Sequence, residues 1–161
     1  MNNLLPIHFA PLQGYTDAAY RQAHARIFGG IDTYYSPFVR VEHGEIRRKD
    51  ARDIHPDNNR NIHLIPQLIA SCPNKLEQIM SLLTKYNYQE ADINLGCPFP
   101  MLAKRHNGAG MLPYPEEVKD LLTAAIEQYP QIRFSVKLRL GWENASECIA
   151  LLPLLNALPL A

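Results

Sequence analysis

The chain reads as an α/β protein with a parallel sheet. Short apolar or β-branched runs alternate with helical patterns along nearly its whole length, in the order β-α-β-loop-β-α-β-α-β-α. Strands separated by helices form βαβ units, whose strands run parallel and whose crossovers are right-handed. The composition is that of a folded core, with 47% hydrophobic and 20% charged residues, close to globular usage. At 161 residues the chain has the length of one domain. It falls short of a closed eight-stranded α/β barrel, which needs about 200 residues.

The elements follow in order. Ile7 to Gln13 is a short apolar strand closed by Gly14. Thr16 and Asp17 are candidate caps for a helix that stops at Gly29-Gly30. Asp32 to Val41 is rich in β-branched and aromatic residues and predicts a second strand. Residues 42–61 read as a solvated loop with one helical turn, since six Lys/Arg and five Asp/Glu are mixed between Arg40 and Arg60. His63 to Ala70 is the third strand. Ser71 is a candidate cap for the next helix, with Pro73 in its first turn. Leu76, Ile79, Met80 and Leu83 fall on one face of that helix.

Ala91 to Cys97 is the fourth strand, stopped by Pro98, and a Gly- and Pro-rich loop follows. Pro115-Glu116-Glu117 opens a helix to about Tyr129, its acidic first turn complementing the helix dipole. Its apolar stripe is Val118, Leu121, Leu122, Ala125 and Ile126. Arg133 to Leu140 is the fifth strand. Asn144 and Ser146 are candidate caps for a last helix over 145–158, which Pro153 kinks or shortens.

Charge and cysteines narrow the class. Lys+Arg and Asp+Glu balance at 16 each; a nucleic-acid binder of high net charge is excluded, a local basic patch is not. Cys72, Cys97 and Cys148 are three, far apart, without a C-x-x-C, which argues against a disulfide framework or a zinc site. The N-terminus has no basic segment followed by a long apolar one, and no run of 18 apolar residues occurs. The expectation is a cytoplasmic protein with reduced thiols and no membrane span.

Functional residues of parallel α/β proteins gather at the C-terminal ends of the strands. Here those ends carry Pro11-Leu12-Gln13, Ser36-Pro37, Gln67, Asn94 to Pro98, and Lys137 to Arg139. Gln67 lies in an apolar strand, so it either ties neighbouring backbone together or holds a ligand. Ser135, Lys137 and Arg139 share one side of their strand. That side either faces solvent or, buried inside a parallel sheet, needs an anion or an electron-rich ligand. Cys97, between Gly96 and Pro98, is either a small buried hydrophobe or a reactive thiol able to donate a proton. Cys148 reads as core. Asn107 to Gly110 is not a phosphate-binding glycine loop and reads as a mobile lid with glycine hinges. Lys104, Arg105 and His106 on that lid are either solvated or meet a phosphate backbone.

Four stretches together resemble the tRNA-dihydrouridine synthase family. Ala10 to Asp17, with Tyr20-Arg21, is similar to that family's opening motif. Asn94-Leu95-Gly96-Cys97-Pro98, with Gly108-Ala109-Gly110 and Leu112, is similar to its active-site strand and loop. Pro66-Gln67-Leu68 and Ser135 to Trp142 resemble its flavin-facing glutamine and its lysine strand. The four occur in family order and cover nearly the whole chain. The one small departure is Leu12, where the family often has Met.

The resemblance implies a TIM (β/α)8-type barrel, here a partial barrel of about five βα units. It implies reduction of uridine in tRNA to 5,6-dihydrouridine by FMN, with NADPH as reductant. Carried over, Cys97 is the proton donor to uracil C5, and Gln67 and Lys137 bind the polar edge of the flavin. Pro11, Leu12 and Gln13 pack against its ring. Asn94 and Arg139 shape the flavin and uracil site, and Lys104 and Arg105 contact RNA. Residues 1–161 are then the N-terminal part of the catalytic barrel. The expectation is that the remaining barrel strands, the FMN phosphate grip and a helical tRNA-binding domain are absent, leaving this chain inactive by itself. Exposed sheet edges of such a part would favour self-association. The alternatives are an FMN-barrel oxidoreductase acting on a small molecule, or a non-catalytic half-barrel that binds RNA or a partner.

Overall fold

A computed structural model describes residues 5–161; the leader-free reading of the N-terminus rests partly on residues 1–4, which lie outside the described residues. The elements are β1 (His8–Phe9), α1 (Ala18–Ile27), β2 (Thr33–Tyr35), β3 (Val41–Glu42), β4 (Glu45–Ile46), α2 (Arg48–Asp53), β5 (Leu64–Ile65) and β6 (Gln67–Leu68). They continue as α3 (Pro73–Lys85), β7 (Glu90–Leu95), α4 (Pro100–Ala103), α5 (Pro115–Gln128), β8 (Arg133–Leu138) and α6 (Glu147–Asn156). Single 3-10 turns occupy Pro56–Asn58 and Gly108–Met111.

The α/β reading holds. Among the described residues β1, β2 and β5 form one parallel sheet, β6, β7 and β8 a second, and β3 with β4 an antiparallel hairpin; no closed barrel forms. The third strand of the sequence reading is divided at Pro66. Its nitrogen carries no hydrogen for the ladder, while its carbonyl accepts the Asp92 N–H at 3.0 Å. One segment therefore serves two sheets, with Tyr35 opposite Ile65 and Gln67 opposite Asp92. The second strand likewise stops at Tyr35 rather than Val41, for Pro37 interrupts it. Ser36 Oγ accepts the Gln67 N–H at 3.0 Å, and Val39 resumes one parallel bridge with Leu68.

Helices cover one face of the second sheet. Leu76, Ile79, Met80 and Leu83 of α3 are buried, as are Val118, Leu121, Leu122 and Ala125 of α5, and Leu151 and Leu155 of α6. Ala91, Ile93 and Leu95 of β7 and Phe134 of β8 meet them. The polar alternates of these strands face the other way, which is where the candidate site lies.

Several local expectations are corrected. Cys72, not Ser71, is the N-cap of α3, and it makes no side-chain cap bond. Ser146 is the N-cap of α6, as expected, but makes no side-chain cap bond; the Glu147 carboxylate instead ties down the preceding turn, accepting the N–H groups of Trp142, Glu143 and Asn144 at 2.7, 3.1 and 3.0 Å. Pro153 sits inside α6. Cys148 is half-buried, with its thiol donating to the Ala145 carbonyl at 3.0 Å, and is not core.

Residues 42–61 are not a solvated loop. They hold the hairpin, α2 and a 3-10 turn, and Asp50, Ile54 and Asn59 are buried. The cause is Arg21, which α1 carries inward to 0% exposure. Its Nη1 donates to the Thr16 carbonyl at 2.7 Å and to Asp53 Oδ2 at 3.1 Å. Nε and Nη2 both reach Asn59 Oδ1, and Nη2 also reaches the Asp53 carbonyl. Asp53 Oδ1 in turn accepts the Ala18 N–H at the start of α1. Tyr88 closes the same region by donating to the Ile54 carbonyl at 2.7 Å, and burial pushes its hydroxyl up to about 12.

Removing one partner of a buried pair leaves the other charge uncompensated. Arg21→Met is expected to lower unfolding stability by about 3–5 kcal/mol, measured by urea titration; a loss below about 1 kcal/mol, the worth of an exposed pair, would contradict the hub.

Candidate active site

The inner face of the second sheet places Gln67, Asp92, Asn94, Ser135 and Lys137 in register. Gln67 lies opposite Asp92 on the neighbouring strand, Asp92 opposite Ser135, and Asn94 opposite Lys137. Gln67 is 1% exposed, Asp92 2% and Asn94 8%. A buried polar group needs a partner, and here the partners are one another. Ser135 Oγ donates to Asp92 Oδ1 at 2.7 Å and Gln67 Nε2 to Asp92 Oδ2 at 2.6 Å. Asn94 Nδ2 donates to Gln67 Oε1 at 2.8 Å. Asn94 Oδ1 then accepts the backbone N–H groups of Gly96 and Cys97 at 3.1 and 2.8 Å. The strand residues and the turn carrying Cys97 are one connected chain.

Cys97 is half-buried. Its carbonyl accepts the Ala109 N–H at 3.0 Å. Gly108 has φ +58°, and a Cβ there would lie 2.8 Å from the Cys97 carbonyl oxygen. A Cβ at Gly110 would overlap the backbone of Ala103. Gly108 to Met111 are all buried. The mobile lid expected from these glycines is therefore a packed turn, and their task is close approach of backbones.

A cavity of about 350 Å³ adjoins the polar face, lined among others by His8, Pro11, Tyr35, Asp92, Ser135 and Lys137. Pro11 and Lys137 are thus brought to one space with Asp92. Tyr35 OH lies 3.2 Å from His8 Nδ1, and burial and then the nearby Asp92 raise its hydroxyl pKa. Burial also raises the Asp92 carboxyl above its usual 3.8, against its hydrogen bonds from Gln67 and Ser135 and the charge of Lys137.

The opening segment is a tight turn. The Leu12 N–H donates to Thr16 Oγ1 at 2.8 Å, Gly14 has φ +88°, and Asp17 caps α1 by accepting the Tyr20 N–H. Leu12 is 58% exposed. Gln13 spends its carbonyl on the Phe38 N–H at 2.9 Å, which ties the loops after β1 and β2 together. Arg139 is exposed just past β8. Lys104 and Arg105 are exposed at the end of α4, and Arg105 borders a separate groove of about 600 Å³ with Arg40, His43 and Lys75. His106 leaves the expected basic trio: it stacks on Tyr114 with centroids 4.1 Å apart and pairs with Glu117 at 2.8 Å.

A model of the family described as dihydrouridine synthase (Dus) matches residues 8–157. The chain belongs to this family. Among similar proteins, a tRNA-dihydrouridine(16) synthase of Haemophilus ducreyi is 30% identical over 149 residues, 88% of this chain and 46% of that protein. One of Neisseria meningitidis serogroup A is 29% identical, covering 89% and 45%. A tRNA-dihydrouridine synthase B of Klebsiella pneumoniae is 27% identical, covering 83% and 41%. The chain spans about half the length of these relatives. Among its described residues no helix is long and apolar enough to cross a membrane.

Reading strand ends picked out Gln67, Asn94, Cys97 and Lys137 in this family member and missed Asp92, Tyr35 and His8. Asp92 had a visible signal. In Glu90 to Leu95 the polar residues alternate with Ala91, Ile93 and Leu95, so Asp92 had to share a face with Asn94.

The raised Asp92 pKa has a definite sign. The folded state holds this proton more tightly than the unfolded chain, so the group's contribution to stability falls as pH rises from the usual 3.8 through the raised folded value. Asp92→Asn lacks that titration. Urea titrations at several pH values are expected to show wild type losing ground to Asp92→Asn between acid and neutral pH; the opposite trend would mean that the ion is favoured in the fold.

Proposed function

We propose that this chain is the N-terminal part of a TIM-type (β/α)8 barrel that reduces uridine in tRNA to 5,6-dihydrouridine, with FMN as cofactor and NADPH as reductant. The family match and the names of the similar proteins support the reaction. The order of parallel pairing supports the barrel, since β1, β2, the 64–68 segment, β7 and β8 are neighbours in chain order. The single observation that carries the site is the hydrogen-bonded chain from Asp92 through Gln67 and Asn94 to the Cys97 turn.

The donor set fits a flavin. Each side-chain amide has two N–H hydrogens, and Gln67 and Asn94 each commit one of them within the chain. One N–H on each is left over, and Lys137 lies opposite Asn94 on the neighbouring strand. Donors in excess suit the acceptor-rich polar edge of the isoalloxazine ring, and a cation beside it stabilises the reduced form. Gln67, Lys137 and Asn94 would hold that edge, with Pro11, Leu12 and Gln13 against the ring and Arg139 at the rim. When bound, FMN supplies the hydride and NADPH renews it. Cys97 Sγ would carry the proton for uracil C5, on a turn whose N–H and carbonyl are both held. The target base has to leave its stack to reach this depth, and Lys104 and Arg105 would meet the RNA backbone outside it.

In the whole enzyme of which this chain is proposed to be the N-terminal part, Cys97→Ala is expected to lower dihydrouridine formation by about 10²–10⁴-fold, the range of a general acid, with FMN retained. Lys137→Met is expected to weaken FMN binding about tenfold or more, the loss of one charged hydrogen bond, read from flavin fluorescence. Unchanged tRNA reduction in the first, or unchanged affinity in the second, removes that residue from its role.

Among the described residues β1 and β8 each have one partner strand, and such open edges invite pairing with a second chain. Light scattering over a dilution series is expected to show mass above the 18.3 kDa of one chain; a constant monomer mass would count against self-association.

A further inference from the structure

We infer that Asp92 is a positioning residue, which sets the amide orientation of Gln67 and Asn94 and through them holds the backbone of the Cys97 turn. The inference deepens the reading of Cys97 as proton donor and rests on it for its purpose, though not for its test.

Side-chain amides are ambiguous devices, because oxygen and nitrogen exchange places by a half-turn of the group. In this chain neither amide is free to turn. The N–H groups of Gly96 and Cys97 can only donate, so the Asn94 atom facing both is Oδ1. Asn94 then presents Nδ2 to Gln67, which must answer with Oε1. Gln67 is left with Nε2 toward Asp92 Oδ2, and that position has to accept. The carboxylate of Asp92 accepts there, with its other oxygen occupied by the Ser135 hydroxyl. A proton on Asp92 leaves the chain intact when it sits on Oδ1 and is given to Ser135 Oγ, which accepts as readily as it donates.

Remove the acceptor at position 92 and the order fails from that end. Gln67 is 1% exposed and has no water to turn to. Its Nε2 would be stranded, at the cost that any buried unsatisfied donor carries. Relief comes from turning Gln67, which sets its nitrogen against Asn94 Nδ2, donor against donor. Asn94 then loses its anchor, and the two N–H groups before the thiol lose their restraint. An amide at position 92 is different. Asparagine can face Gln67 with its oxygen and Ser135 with its nitrogen, so Asp92→Asn should preserve the chain while Asp92→Ala breaks it.

The test is residue-resolved amide hydrogen exchange by NMR on the full chain, which needs neither flavin nor RNA. In Asp92→Ala, exchange at Gly96 and Cys97 is expected to accelerate about fivefold to tenfold, the equivalent of one net hydrogen bond. Ile93 in β7 and Leu122 in α5 should keep their wild-type rates. In Asp92→Asn the rates at Gly96 and Cys97 should return to within about twofold of wild type if the acceptor, and not the charge, matters. Asn94→Ala, which removes the last link, should match or exceed Asp92→Ala at these two amides. The inference is overturned if Asp92→Ala leaves Gly96 and Cys97 unchanged, if Asp92→Asn is as fast as Asp92→Ala, or if Ile93 and Leu122 accelerate equally. Should Cys97→Ala keep full tRNA activity while the exchange pattern appears as described, the proton-donor reading fails and the positioning role stands.

Discussion

A carboxyl group held at 2% exposure must find its donors inside the protein, and Asp92 draws them from the two strands on either side of its own. This requirement orders the polar face. β7 lies between β6 and β8, so a side chain at its middle is within reach of both neighbours. The register puts Gln67 on one side of Asp92 and Ser135 on the other. Two backbone bonds lie beside this pairing. The Gln67 N–H, which faces the break at Pro37, takes Ser36 Oγ in place of a backbone carbonyl. The Asp92 N–H donates to the Pro66 carbonyl, the ordinary ladder bond of the parallel Gln67–Asp92 pair.

Arg21 solves the corresponding problem on the other side of the fold. A guanidinium has five donors and no acceptor, so burying one commits several oxygens around it. Thr16, Asp53 and Asn59 supply them, from the turn after β1, the end of α2 and the segment that follows it. The consequence is long-range. The turn that holds Leu12 and Gln13 is fixed through Arg21 to Asp53 and Asn59, and Gln13 fixes it again to the loop after β2. The segment 42–61, whose mixed charge suggests solvent, is folded because one arginine requires its oxygens.

The legibility of the sequence follows the range of each signal. Periodicity is local, so the buried stripes of α3 and α5 could be read from Leu76, Ile79, Met80 and Leu83, and from Val118, Leu121, Leu122 and Ala125. The strands after Asp32 and His63 were legible as strands but not as broken ones, because a proline's effect depends on which neighbour its missing N–H would have faced. Gln67 and Lys137 stood out as polar residues in apolar runs. Asp92 sat in a plainly alternating strand, and only pairing with Gln67 and Ser135 shows why a carboxyl is there. The glycines at 108 and 110 were the least legible. A glycine that supplies a hinge and one that admits a neighbouring backbone look alike until the neighbour, here Cys97 or Ala103, is known.

That last distinction bears on what Cys97 can do. A cysteine on a mobile lid samples many positions, and a proton donor that must meet one carbon atom loses rate with each of them. Here the backbone of Cys97 is held on both sides: its N–H by Asn94 Oδ1, its carbonyl by the Ala109 N–H. Gly108 lets the second contact form at a distance no side chain would permit. The two restraints come from different directions, one from the buried strands and one from the turn after α4. With its backbone fixed and its residue half-exposed, the thiol keeps only side-chain rotation as freedom. Precision at such a position is a property of the residues behind it, and these trace back through Asn94 and Gln67 to the carboxyl group on β7.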